Sequence, residues 1–334
     1  MSDALGALFG AVARLRAAAY RRGVLSRTRL EGPVVSVGNL SVGGSGKTPL
    51  VRHVAQLLRA AGHDVAVLSR GYGGRFRGEA LLVSDGASVL ADADLAGDEP
   101  VMLARALPGV VVAVGPRRDA VGRFVEARFG PRVHVLDDGF QHLRLERDLD
   151  LVCLDVRDLD DRPLPAGRLR EPKDALGRAD LVLLTRLEAA SEEEIHSLES
   201  RLGPDRTHRV ERRASGWTTL DGSPVPTPGR VFLFAGIARP ERFAHDANAS
   251  GASVVGESFF PDHHRYRDGE VESLAARARA AGAEVLATTE KDAVRLASRR
   301  LGTDMPLVVL QVSVRVADEE RFRARLLAAV GQAA

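Results

Sequence analysis

Short apolar runs alternate with amphipathic stretches along most of the chain. Residues 33–37 (Pro-Val-Val-Ser-Val) are a β-branched run, followed by a glycine-rich segment at 38–46. Residues 48–61 then place Leu50, Val54, Leu57 and Leu58 at helical spacing and stop at Gly62, and 64–69 is again strand-like. This order predicts a strand, a loop, a helix and a second strand, a βαβ unit. Residues 110–114, 133–136, 149–155 and 181–185 are further apolar runs suited to buried parallel strands, with helical stretches at 99–106, 120–129 and 192–202 between them. Alternation of this kind predicts an α/β fold with a parallel sheet and helices on both faces.

The pattern changes at 216–229, where Trp217, Asp221, Gly222, Pro224, Pro226 and Pro228 read as a hairpin or linker. A second strand–helix series begins at 231–235, with strands near 253–257, 284–288 and 306–312. The expected organisation is an N-terminal helix over 1–22, a larger unit over 23–215 and a smaller α/β unit over 216–334.

Composition changes this picture little. Of 334 residues, 45% are hydrophobic and 28% charged, which is globular and excludes a disordered chain. The net charge of +2, in an arginine-rich chain, fits an acidic substrate or an anionic surface without choosing between them. The single cysteine, Cys153, lies in an apolar run; one thiol neither staples a fold nor builds a four-ligand zinc site.

The N-terminus is more informative. Leu5, Leu8 and Phe9 precede Arg14, Arg16, Arg21 and Arg22, the reverse of the charge order of a signal peptide, and no run reaches the length of a membrane span. Two readings follow: an interfacial helix lying on an anionic membrane, or a helix packed on the protein itself.

The chemistry starts at Ser41-Val42-Gly43-Gly44-Ser45-Gly46-Lys47-Thr48. Between a strand and a helix, this is a phosphate-binding loop: backbone amides curl around phosphate oxygens, Lys47 reaches the β- and γ-phosphates, and the Thr48 hydroxyl faces Mg²⁺. Ser41 replaces the usual first glycine. Downstream, the run at 133–136 ends in Asp137 and Asp138, where a P-loop protein holds its metal.

The ordered set of short motifs resembles the lipid A 4'-kinase (tetraacyldisaccharide 4'-kinase) family over nearly the whole chain. The motifs are the 38–49 loop, Leu68-Ser69-Arg70-Gly71-Tyr72-Gly73, Gly97-Asp98-Glu99-Pro100, Asp137-Asp138-Gly139-Phe140-Gln141-His142, Leu169-Arg170-Glu171-Pro172, Asp262-His263 and Thr289-Glu290-Lys291-Asp292. The resemblance implies transfer of the γ-phosphate of ATP to the 4'-hydroxyl of a tetraacylated, 1-phosphorylated glucosamine disaccharide, at the cytoplasmic face of an inner membrane. It implies no nucleic-acid partner and no obligate protein partner. It also implies that Ser45, Lys47 and Thr48 handle phosphates and Mg²⁺, and that Asp138 and Glu171, with Asp137 beside them, complete the metal site. Arg118 and Arg170 would offset phosphoryl charge, and Asp98 and His263 would form a catalytic pair. Arg70, Tyr72 and Gln141 are candidate substrate contacts.

Several residues carry a second reading. Asp98 at the start of a helix is also a natural N-cap. His264 adjoins His263, and Arg117 adjoins Arg118, where the following stretch favours Arg118. Lys291 and Asp292 are either a nucleotide-side pair or a solvated helix start. Thr289-Glu290-Lys291-Asp292 is close to a guanine-reading motif, which keeps a GTPase-type switch as an alternative, beside a nucleotide-sensing scaffold at a membrane.

Overall fold

The computed structural model describes residues 2–42, 46–297 and 301–332, with backbone only for residues 2–4. The chain begins with α1 (Ser2–Arg21) and enters the sheet at β1 (Val34–Asn39), followed by α2 (Lys47–Ala60) and β2 (Val65–Ser69). Then come β3 (Leu81–Asp85), α3 (Ala93–Ala96), α4 (Asp98–Ala106), β4 (Val111–Val114), α5 (Arg118–Phe129) and β5 (Val133–Asp137). β6 (Leu149–Asp155), β7 (Leu181–Thr185) and α6 (Glu192–Leu202) complete the first half.

A long strand, β8 (Thr207–Thr218), leads through a hairpin to the short β9 (Pro224–Val225). The second half is β10 (Arg230–Ala235), α7 (Pro240–Ala249), β11 (Ser253–Phe259), α8 (Glu270–Ala280), β12 (Val285–Thr289), α9 (Glu290–Leu296), β13 (Leu307–Val316) and α10 (Glu319–Val330).

The strands form one sheet in the order β11-β10-β12-β13-β8-β7-β6-β1-β5-β2-β4-β3, with β9 pairing β8 off this path. Pairing is parallel except where β3 meets β4, β13 meets β8 and β8 meets β9. Alternate residues of the strands feed opposite faces. Val35, Val37, Val65 and Val67 pack with α2, α4 and α10, while Ala66, Leu68 and Leu136 pack with α5. Val152, Leu154, Val182 and Leu184 pack with α6. Both faces of the second half are covered too, with α7 on one and α8 on the other. Each such Val, Leu or Phe side chain, fully buried, contributes roughly 1.5–3 kcal/mol, so the central strands hold the loops at their C-terminal ends firmly.

Two features join the halves. β8 pairs in parallel with β7 over its first residues and antiparallel with β13 thereafter, so the expected boundary at residues 215 and 216 falls inside a strand. Gly216, at φ +136°, stands opposite a register shift between Gln311 and Val312, a backbone state open to glycine. α10 returns to the first half, burying Phe322 and Leu326 in the core that holds Leu50 and Val54 of α2. The 216–229 segment is therefore the end of β8 plus a hairpin, rather than a free linker.

α1 answers the question left at the N-terminus in an unexpected way. Gly6 and Gly10 are buried, and a Cβ on Gly6 would stand 3.2 Å from Ala166, one on Gly10 3.0 Å from Pro172. The helix docks through its small residues. Leu5, Leu8, Phe9, Val12 and Leu15 face outward, with Leu15 72% exposed. Among the described residues no helix is long and apolar enough to cross a membrane.

Candidate functional site

The C-terminal end of β1 fixes the phosphate loop. Gly38 is required because a Cβ there would lie 2.5 Å from Phe140. Asn39 accepts from Lys47 Nζ at its Oδ1 (2.9 Å), donates to the Ser41 carbonyl (2.6 Å), and its own carbonyl accepts from Gln141 Nε2 (2.9 Å). The Ser41 hydroxyl donates to Asp158 (2.9 Å), so Ser41 anchors the loop with its side chain turned into the protein. Val42 N donates to the Arg168 carbonyl at 2.8 Å. Gly43, Gly44 and Ser45 lie outside the described residues. Gly46, at φ +81°, stands at the N-cap of α2, which opens with Lys47 and Thr48.

Lys47 also reaches Asp138 Oδ1 (3.3 Å), while Arg170 donates to Asp138 Oδ2 (2.7 Å). Asp138 sits at φ +55°, just past β5, which turns its carboxylate toward these two cations. Burial raises its pKa, but Lys47 and Arg170 outweigh burial and keep it below the ordinary carboxylate range. Its neighbour Asp137 accepts from the Ser69 hydroxyl (2.9 Å). Burial, then the charges of Glu99 and Asp138, push Asp137 up to about 7.

Glu171 is buried and paired with Arg178 (2.9 Å), whose guanidinium lies 4.5 Å from the centre of the Phe140 ring. Thus Glu171 already has a cation, and a metal would compete with Arg178 for it.

Arg117 and Arg118 part company clearly. Arg117 pairs with Asp119 (2.8 Å), whereas Arg118 is buried, donates to the Pro116 carbonyl (3.3 Å) and leaves its Nε without a partner. Burial and the nearby Arg70 lower its pKa, while Asp138 and Asp137 pull the other way. Arg118 is thus the buried one of the two, within electrostatic reach of Asp137 and Asp138.

The second cluster joins the halves. Asp98 opens α4, but Gly97 occupies the cap position at φ +93°, and a Cβ on it would meet the Tyr72 carbonyl at 2.4 Å. The N-cap reading of Asp98 is therefore set aside: its Oδ2 instead meets His263 Nδ1 at 3.0 Å and Arg295 of α9. Burial raises the Asp98 pKa, and Arg295, His263 and Lys291 together hold it below the usual carboxylate range.

His263 stands at φ +61°, an uncommon backbone state held by a bond from its N–H to the Gly236 carbonyl (3.1 Å). Its Nε2 lies 3.3 Å from Lys291 Nζ, which also meets Asp262 at 3.1 Å. An ammonium only donates, so Nε2 accepts there; Nδ1 lies between the Asp98 carboxylate at 3.0 Å, which only accepts, and the Arg295 guanidinium at 3.3 Å, and the closer carboxylate favours the proton on Nδ1. Tyr72 packs edge-on against the His263 ring at 5.9 Å and is 73% exposed. Arg70 is also exposed. His264 points elsewhere, to Glu270 (3.1 Å) and the face of Phe260.

Lys291 and Asp292 are thus not a solvated helix start, and each has its own partners. Lys291 serves the His263 imidazole, while Asp292 is buried, accepts from Gly236 N (3.1 Å) and pairs with Arg295 (3.0 Å). A carboxylate so enclosed cannot read a guanine base, which removes the feature that kept the GTPase alternative open. Sequence reasoning missed Arg295 and gave no role to Glu99 or Asn39. Arg295 follows Asp292 by three residues and so lies on the same helix face, the one signal available.

The profile of the LpxK family, described as tetraacyldisaccharide-1-P 4'-kinase, matches residues 3–331. A protein named tetraacyldisaccharide 4'-kinase from an Anaeromyxobacter species is 47% identical over 304 residues, covering 88% of this chain and 81% of that one. Its namesake from Geobacter sulfurreducens is 42% identical over 327 residues, covering 96% and 90%. The solved structure of LpxK from Aquifex aeolicus, described as an apo form in complex with ATP, superimposes with a TM-score of 0.80 at 31% identity and covers 98% of both chains. The chain belongs to the LpxK family of tetraacyldisaccharide-1-P 4'-kinases.

Proposed function

We propose that this chain transfers the γ-phosphate of ATP to the 4'-hydroxyl of a tetraacylated glucosamine disaccharide 1-phosphate, giving lipid IVA in lipid A biosynthesis. The observation that carries the reading is the pairing of two clusters in a family member: a cation-rich phosphate end around Lys47, Arg118 and Arg170, and a buried carboxylate–imidazole pair, Asp98–His263. Phosphoryl transfer needs little beyond these, because its transition state is loose and the protein's work is positioning and charge neutralisation.

Lys47 binds the β- and γ-phosphates, exchanging its contact with Asp138 for the nucleotide. Arg118, buried and, among the described residues, without an anionic side chain in contact, and Arg170 stabilise charge on the transferred group. Asp98, ionised at neutral pH, takes the proton from the acceptor hydroxyl. His263 orients Asp98 through Nδ1–H, and Arg295 fixes the same carboxylate from the other half.

Oxygen donors suit Mg²⁺, and Asp138 Oδ1 is a buried carboxylate oxygen whose neighbour is the Lys47 ammonium at 3.3 Å, a cation that would turn to the phosphates when nucleotide binds. Thr48 and Asp138 would hold the ion, with Asp137 and Glu171 behind them. Mg²⁺ at nucleotide sites is commonly held by one or two carboxylates together with phosphates and water. Bound there, Mg²⁺ would neutralise charge on the β- and γ-phosphates.

The outward apolar stripe of α1, beside Arg14, Arg16, Arg21 and Arg22, supports a peripheral seat on the cytoplasmic face of an inner membrane. Replacing Leu8 and Phe9 with Ser preserves the glycine face that docks α1. It should weaken co-sedimentation with anionic vesicles and raise KM for lipid more than for ATP; unchanged binding would refute the membrane role. The central test is ATP consumption: it should require the lipid disaccharide and prefer ATP over GTP. Lipid-independent hydrolysis with a preference for GTP would overturn the kinase reading.

A further inference from the structure

A cationic surplus lies one residue away from Arg118, outside the machinery described above. Asp119, in the first turn of α5, has a fully buried side chain. Three guanidiniums converge on it: Arg117 (2.8 Å), Arg144 (3.2 Å) and Arg123 (3.6 Å). Their side chains are 45, 46 and 56% exposed, so each holds Asp119 with one edge and shows another to solvent.

The other groups around them do not restore balance. Glu79 acts on Arg117 through space, and Arg147 is taken by Asp150 (2.9 Å). His142 approaches Asp119 at 3.8 Å, but burial and then Arg118 push its pKa down to about 4, so it stays neutral. Asp119 Oδ1 and His142 Nε2 are both buried without a hydrogen-bond partner. Arg16 of α1 comes near His142, on which its charge acts, and donates to the adjoining Gln141 carbonyl at 3.2 Å.

Such crowding of like charge is unfavourable unless an anion completes it. A single carboxylate also pre-orders the forks, so that little side-chain freedom is lost when a second anion arrives. Guanidinium forks suit the tetrahedral, doubly charged oxygens of a phosphomonoester. The position narrows the source. One flank is Arg118 and the phosphate end; the other is α1, with its outward apolar stripe. A ligand touching both is a lipid whose acceptor hydroxyl reaches the reaction centre while its own phosphate stays near the interface.

We propose that Arg117, Arg123 and Arg144, held on Asp119, form the subsite for the phosphate at position 1 of the lipid disaccharide. This rests on the kinase reading above, which names that substrate class.

The test measures binding apart from turnover. Wild type and Arg123→Ala/Arg144→Ala are titrated with the tetraacyl disaccharide in mixed micelles, with and without its 1-phosphate. The nucleotide is the non-hydrolysable analogue. Wild type should bind the phosphorylated lipid on the order of tenfold to a hundredfold more tightly, from charge-assisted hydrogen bonds. The variant should lose most of that preference while keeping its affinity for the nucleotide. If the double substitution does not fold, Arg123→Gln alone should lower the preference.

Equal wild-type affinity for both lipids, or an undiminished preference in the folded variant, would overturn the proposal. So would a variant that loses binding to phosphatidylglycerol vesicles yet keeps the preference for the 1-phosphate, since the cluster would then be a general membrane contact. If wild type discriminates in binding but never transfers phosphate, the subsite stands and the kinase reading falls.

Discussion

Asp98 and Asp137 are both buried carboxylates at the edge of the same site, yet they are held in opposite states. Asp98 is ringed by cations and an imidazole: Arg295, His263 and Lys291 keep it ionised although it is 9% exposed. Asp137, at 2%, is pushed up to about 7 by burial and then by the charges of Glu99 and Asp138, which the Ser69 hydroxyl and the charge of Lys47 do not offset. The groups that keep Asp98 charged all come from the second half of the chain. Desolvation is common to both residues; the partner decides the state. An ionised carboxylate lies where the halves meet, while a carboxyl that keeps its proton up to about 7 lies inside the first half.

The largest effect should come from the cation that serves neighbouring Asp138. Lys47→Ala removes a preorganised charge from the phosphate end and should lower kcat/KM by about 3–4 kcal/mol, several hundredfold, in folded protein. Activity within a few-fold of wild type would break the assignment of this end to phosphate.

Next comes the joint between halves. Asp98→Ala and His263→Ala should each lower kcat strongly, on the order of a hundredfold, with ATP binding largely kept. If they act as one unit, the double variant should be scarcely worse than the worse single. His264→Ala should be milder, because that ring faces Glu270. A double variant whose defect equals the product of the singles would mean independent roles.

Asp137 sharpens the contrast through stability. The native state keeps a proton on Asp137 from its ordinary value near 3.8 up to about 7, where the unfolded chain has lost it. Stability therefore falls as pH rises through that window, the reverse of the usual carboxylate pattern. Asp137→Asn mimics the protonated acid. It should raise Tm relative to wild type at pH 8, by on the order of 1–3 kcal/mol in stability, and change it little at pH 4. In wild type, Mg²⁺ should raise Tm more at pH 8 than at pH 6, since the ion need not displace a proton. A Tm gain for the Asn variant that is equal at pH 4 and pH 8 would remove the protonated carboxyl from the account.

How much of this was legible in the sequence follows from distance along the chain. The βαβ start, the phosphate loop and the Asp137–Asp138 strand end are local patterns, and the structure places them as β1, α2 and β5. β3 was missed because it is an edge strand, half exposed and paired antiparallel only to β4. β8 was missed too: its first part is charged rather than apolar, and Gly216 with the prolines beyond read as a hairpin or linker, whereas the glycine fits a bulge opposite β13. Asp98 and His263 were found through family motifs, since nothing local links residues 165 apart. Arg295 belongs to no motif quoted for the resemblance. Only the packing of α9 against α4 brings it to Asp98.

The smallest change tests how finely the cations set Asp98. Lys291 Nζ sits 3.3 Å from His263 Nε2 and adds a positive charge that favours the Asp98 carboxylate. Lys291→Met keeps most of the side chain's bulk and removes both the donor and the charge. Two consequences follow. Without the ammonium, Nε2 loses the donor that obliged it to accept, so the Nδ1–H form facing Asp98 is no longer enforced, and ¹⁵N shifts of the His263 ring should report a mixture of tautomers. With one cation gone, Asp98 moves toward the condition of Asp137: its pKa rises, and the acidic limb of the pH–rate profile shifts to higher pH. The loss in kcat/KM at pH 7.5 should be modest, about two- to fivefold, because Arg295 still holds the carboxylate and a pKa rise must approach the assay pH before the base is depleted. Lys291→Arg keeps the charge and a donor, so it should restore the limb even where it does not restore the full rate. An acidic limb unmoved in Lys291→Met, with unchanged ring shifts, would confine Lys291 to its contact with Asp262 and leave Arg295 and His263 as the groups that set the ionisation of Asp98.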